Sequence, residues 1–124
     1  MEDTTFTIIK IDSLNDSYFG DEKPLSSELS TNDVIELNKF ISDFIKDHKY
    51  ELLDIKEYQK QYIPIINNSH EKEVIVNCFC NRSHTRNEWR KKLVLAIDGG
   101  NCYFHLKVNL HTKKYSEFGI NNEG

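Results

Sequence analysis

The chain has 124 residues, 38% of them hydrophobic and 11% aromatic, enough for one packed core; wholesale disorder and a second core are excluded. No apolar run approaches the roughly 18 residues of a membrane helix, so no membrane segment is expected. The net charge of −4 is split: residues 1–57 carry 14 acids and 6 bases, and residues 58–124 carry 6 acids and 10 bases. Such a split bears on solubility and association rather than on fold.

Residues 1–124 read as a single domain. Met1 to Thr5 lack the basic and apolar regions of a signal peptide, which favours a cytoplasmic location, although a chain trimmed of an export signal would begin the same way. Thr5 to Ile11, β-branched and aromatic, predicts a first strand. Residues 12–28, rich in Asp, Ser and Asn with Pro24, predict a long connection that Tyr18 and Phe19 anchor to the core.

A helix is expected from Ser30. Ser30 is placed to cap it, Asp33 to complete the capping box, and Leu29 with Val34 to form a hydrophobic staple. Val34, Leu37, Phe40, Ile41, Phe44 and Ile45 recur at helical spacing, with acids leading and bases trailing as the helix dipole favours. Tyr50 to Lys60 fits either a short helix or the start of a long bent strand.

Gln61 to Asn67 is strand-like, and Pro64, lacking an amide donor, predicts an edge position or a bulge. Glu73 to Cys80 is apolar on both faces and predicts a central strand. Residues 81–91 form a basic loop with one tryptophan. Leu93 to Ile97 predicts a strand, joined by a tight turn at Asp98-Gly99-Gly100-Asn101 to a return strand, Cys102 to Leu110. That last strand alternates, with Phe104, Leu106 and Val108 facing the helix and Tyr103, His105 and Lys107 facing away. A short strand, Tyr115 to Phe118, ends the pattern.

Three cysteines, an odd number, argue against a disulfide framework, and reduced buried thiols are expected. Cys78 and Cys80 share one strand face about 6.5–7 Å apart, with Cys102 on a neighbouring strand. C-x-C inside a strand bites a zinc ion poorly, and His105 points away from Cys102, so neither metal binding nor cysteine catalysis is expected. Phosphate-binding glycine loops, nucleophile elbows and H-E-x-x-H are absent, and no cofactor is expected.

The candidate contact residues are Arg82, Arg86, Trp89 and Arg90 of the basic loop, together with Tyr103 and His105. Arginine and tryptophan are over-represented at protein interface hot spots, so the expected partner is another protein, with a homodimer through the sheet as a further reading. The acidic balance and the lack of paired strand aromatics argue against nucleic acid.

These elements predict an α+β fold, one main helix packed on a curved antiparallel sheet of about five to six strands. A helix followed by a meander that wraps it resembles the cystatin-like arrangement, with the NTF2-like cone as the alternative. The segments Gln61 to Asn67, Asn77 to Cys80 and Asp98 to Phe104 resemble a family of small uncharacterised bacterial proteins with that fold. Cystatin inhibitors use a Q-x-V-x-G hairpin loop, and Gln61 to Ile65 matches only its start, because the glycine is missing. The resemblance therefore implies a fold and no activity; the contact residues lead to the expectation of a non-enzymatic protein-binding module, of inhibitor or immunity type. The NTF2-like alternative implies a small-ligand pocket or simple acid–base chemistry.

Overall fold

The computed structural model describes residues 6–13, 24–80 and 100–121. The elements are β1 (Phe6–Ile8), β2 (Leu25–Ser26), α1 (Thr31–Asp47), β3 (Tyr58–Ile66), β4 (Lys72–Cys80), β5 (Gly100–Asn109) and β6 (Lys114–Asn121). They form one α+β unit in which α1 packs on a six-stranded sheet of order β1-β3-β4-β5-β6, with β2 also paired to β3. β1 runs parallel to β3, and every other pairing is antiparallel.

α1 starts where its cap residues require. The Ser30 hydroxyl accepts from the Asp33 amide at 3.1 Å, and the Asp33 carboxylate accepts from the Ser30 amide at 3.0 Å. The same carboxylate takes the Lys72 ammonium at 2.9 Å, tying the helix start to β4. Its hydrogen bond with Lys72 holds the Asp33 carboxyl below the usual aspartate value, against some desolvation. At the other end the His48 amide donates to the carbonyls of Phe44 and Ile45, and the chain turns away.

Helical spacing brings Leu37, Ile41, Phe44 and Ile45 to one buried stripe. That stripe meets the sheet residues Tyr62, Val76, Cys78, Phe104, Leu106 and Val108 in one cluster. Burying each such aliphatic or aromatic side chain stabilises the fold by about 1.5–3 kcal/mol, which makes this seam the main source of stability. Tyr62 adds a polar tie, its hydroxyl meeting Asn38 Oδ1 at 2.6 Å. A smaller cluster of Ile9, Ile11, Ile63 and Ile65 covers part of the opposite sheet face.

Two expectations need correction. β3 is an interior strand, flanked by β4 on one side and by β1 and β2 on the other. Pro64 is tolerated because its carbonyl accepts from Ser27 and, in an extended strand, its amide position faces the same side. That side is where the neighbour changes from β1, last bonded through the Ile9 amide to Tyr62, to β2, so no ladder bond is lost. Leu93 to Ile97, Tyr18 and Phe19 lie outside the described residues.

Second, Cys80 and Cys102 form a disulfide, with Cα atoms 4.9 Å apart, and only Cys78 is free. The pairing of Phe79 with Tyr103 carries these two cysteines opposite one another at the next position, within bridging range. An odd cysteine count conceals that register. Cys78 is fully buried, and desolvation pushes its thiol far up, out of reach of thiolate chemistry.

The ambiguous segment after Lys49 resolves into a 3-10 turn, Ile55–Glu57, capped by Asp54 through the Lys56 amide. β3 then begins at Tyr58, a fully buried residue whose hydroxyl accepts from the Leu53 amide at 3.0 Å and donates to the Asn101 carbonyl. Tyr58 thereby fastens the turn after α1 to the start of β5.

Candidate functional site

Strand alternation on β5 separates two sets of side chains. Phe104, Leu106 and Val108 are sealed against α1, while Tyr103, His105 and Lys107 project from the opposite, outer face. The register then assembles a row across that face: Gln61 on β3, Asn77 on β4, His105 on β5 and Gly119 on β6 are successive neighbours. Within it the Asn77 amide donates to Gln61 Oε1 at 2.9 Å. Gln61 is fully buried, so this bond satisfies an acceptor that water cannot reach.

His105 is exposed, yet its ring has a defined bed. A Cβ added to Gly119 would lie 2.8 Å from His105 Cε1 and 2.9 Å from Nε2. The imidazole therefore rests directly over the backbone of β6, an approach only glycine permits. One position along, β6 bulges between its partners His105 and Lys107, with Glu117 at φ 54°. The bulge aims Glu117 at Lys107, whose ammonium meets Glu117 Oε2 at 2.7 Å. Lys107 also borders a hollow of about 740 Å³ that runs past Glu73, Ile65 and Leu25 to His70 in the β3–β4 turn.

This arrangement offers an imidazole, a phenol, amides and an ion pair on a strand-backed surface. It suits hydrogen bonding and stacking against a flat partner. It does not form a nucleophile–base pair: Cys78 lies on the helix side of the sheet, and the Glu117 carboxylate is engaged by Lys107. Among the described residues, no group of three or more His, Cys, Asp or Glu side chains is placed to hold a metal ion. Nor, among them, is any helix long and apolar enough to cross a membrane.

Of the sequence-predicted contact residues, Tyr103 and His105 are two positions apart on this outer face. Arg82, Arg86, Trp89 and Arg90 lie outside the described residues. The sequence reading missed Asn77, Gln61, Gly119 and Glu117 as neighbours of His105. One signal was available: an isolated glycine inside a strand pattern, as in Glu117-Phe118-Gly119-Ile120, marks a bulge or a close approach. The cross-strand neighbours carry no such signal, because they depend on register. No known protein family, curated protein or solved structure matches this chain.

Proposed function

We propose that this domain is a non-enzymatic protein-binding module that uses the outer face of β5 and β6, with Tyr103 and His105 as contact residues. The reading rests on one observation: the space between helix and sheet is filled. Leu37, Ile41, Tyr62, Val76 and Cys78 are 0% exposed and Phe104 and Leu106 are 1% exposed, so that seam has no room for a ligand. Polar and aromatic chemistry is instead turned outward, onto a surface stiffened by strand pairing. A stiff surface loses little entropy on association, which favours a protein partner over a small molecule there. An inhibitor or immunity role, in which this face covers a toxin or enzyme, is the concrete form. The NTF2-like reading needs an open cone between helix and sheet, and the filled seam weighs against it.

The test places a photo-crosslinking residue at exposed Ser116, the β6 neighbour of Lys107, and, as a control, at exposed Asp43 on α1. A protein captured from native cell extract at 116 and not at 43 is then titrated against variants. Tyr103→Ala and His105→Ala are each expected to weaken binding by about tenfold or more, as for interface anchors. Unchanged affinity in both variants, or saturable binding of a small metabolite with no protein captured, would refute the proposal.

A further inference from the structure

We propose that the Cys80–Cys102 bond is a redox-responsive staple, opened by a dithiol from the Cys102 side, that controls local order at the start of β5 and in the turn after α1. Three features of the structure converge on this. The two cysteines differ in exposure: Cys80 is fully buried, whereas Cys102 is half-buried at the end of the β4–β5 ladder. The bond lies one position beyond the β4–β5 ladder, which runs from Glu73 with Asn109 to Phe79 with Tyr103; there Cys80 still pairs with Tyr58 on β3 and Gly100 with Asn121 on β6. Next to Cys102, the Asn101 carbonyl receives the Tyr58 hydroxyl, which in turn accepts the Leu53 amide. Leu53, Tyr58, Asn101 and Cys102 thus form one relay from the turn after the helix to the staple.

The chemistry is ordinary thiol–disulfide exchange. A thiolate of the dithiol attacks Cys102 Sγ, the Sγ–Sγ bond breaks, and the electron pair leaves on Cys80 Sγ, which takes a proton. The second thiol of the reductant then attacks its own sulfur in the mixed disulfide. Cys102 leaves and is protonated, and the reductant ends as a disulfide. Two electrons and two protons pass to the protein. Cys78, two residues along on the helix side, stays out of exchange because it is buried as the neutral thiol. Where cellular dithiols keep the pool reduced, the staple stands open, and in an oxidising compartment it stands closed. Opening frees the Asn101 carbonyl to move, and the Tyr58 and Leu53 bonds loosen with it, while α1 and the ladder below keep their packing.

The full-length oxidised protein supplies the test. Brief treatment with glutathione, acid quenching and fragment mass analysis are expected to place the adduct on Cys102, with none on Cys78 or Cys80. After complete reduction by dithiothreitol, amide exchange at Leu53, Asn101 and Cys102 is expected to rise about tenfold or more, as in a local opening. Exchange at Leu37, Ile41 and Val76 should stay unchanged. In Tyr58→Phe, Leu53 exchanges fast before reduction and no faster after it. An adduct on Cys80, exchange that rises equally at all sites, no change at Leu53, or three free thiols in air-oxidised protein would each overturn the proposal. Because the readout is the wild-type chain in two redox states, it does not depend on a cysteine variant folding.

Discussion

Replacing Tyr58 by Phe deletes one oxygen and leaves the ring in place. The ring keeps its edge-on contact with Phe104, 4.9 Å between centroids, so packing is conserved. Two hydrogen bonds disappear, one from the Leu53 amide and one to the Asn101 carbonyl. At about 1 kcal/mol each, the loss is about 2 kcal/mol. With an unfolding entropy of about 2.1 cal/mol/K per residue, a chain of this length loses about 8 °C in Tm. The pH dependence is a second, independent check. Burial is the largest influence on Tyr58 and raises its phenol from 10.0 to about 12. A folded-state value above the unfolded one means that this contribution is fully present below pH 10 and is lost as pH climbs toward 12. The variant has no such proton, so wild type and Tyr58→Phe should differ most at neutral pH and converge through that window. Urea denaturation at neutral and alkaline pH measures both. A difference under about 0.5 kcal/mol at neutral pH, or a gap that widens as pH rises, would refute the reasoning.

Asp33→Ala removes the Ser30 amide's bond to the Asp33 carboxylate and the Lys72 ion pair, keeps the residue 33 amide on the Ser30 hydroxyl, and should cost about 1–2 kcal/mol at neutral pH in urea melts. Because the folded Asp33 carboxyl is held below 3.8, its contribution is present above that value and lost as pH falls through the folded one, so the difference between the proteins should shrink in acid. Gly119→Ala should push the His105 ring off its bed, since the new Cβ would stand 2.8 Å from Cε1; the measurement is the His105 ring proton shift, with partner affinity falling as in His105→Ala. Leu106→Ala, at a site 1% exposed beneath α1, should destabilise by about 2–5 kcal/mol in the same melts.

Local chemistry was readable where a residue type has one use. Ser30 and Asp33 announced the helix start, and the apolar repeat from Val34 to Ile45 announced its buried stripe. The alternation from Cys102 to Leu110 set which side chains face α1, so Tyr103 and His105 could be assigned to the outer face in advance. What failed was partnership between strands. Pro64 suggested an edge, yet it sits in an interior strand at the one place where the neighbour changes. The cysteines suggested reduced thiols, yet cross-strand register joined Cys80 to Cys102 and left Cys78 sealed.

The amino-acid order by itself determined the helix, the two-residue rhythm of the strands and the α+β class. These depend on backbone caps and on side-chain periodicity, which act within a few residues of one another. Only the tertiary structure decided that β1 lies parallel beside β3, that Gln61, Asn77, His105 and Gly119 line up in one row, and that two cysteines 22 residues apart in sequence are bonded. Register couples residues distant in the chain, and a slip of one position turns every side chain to the other face, so it is set by the best global burial and not by any local signal.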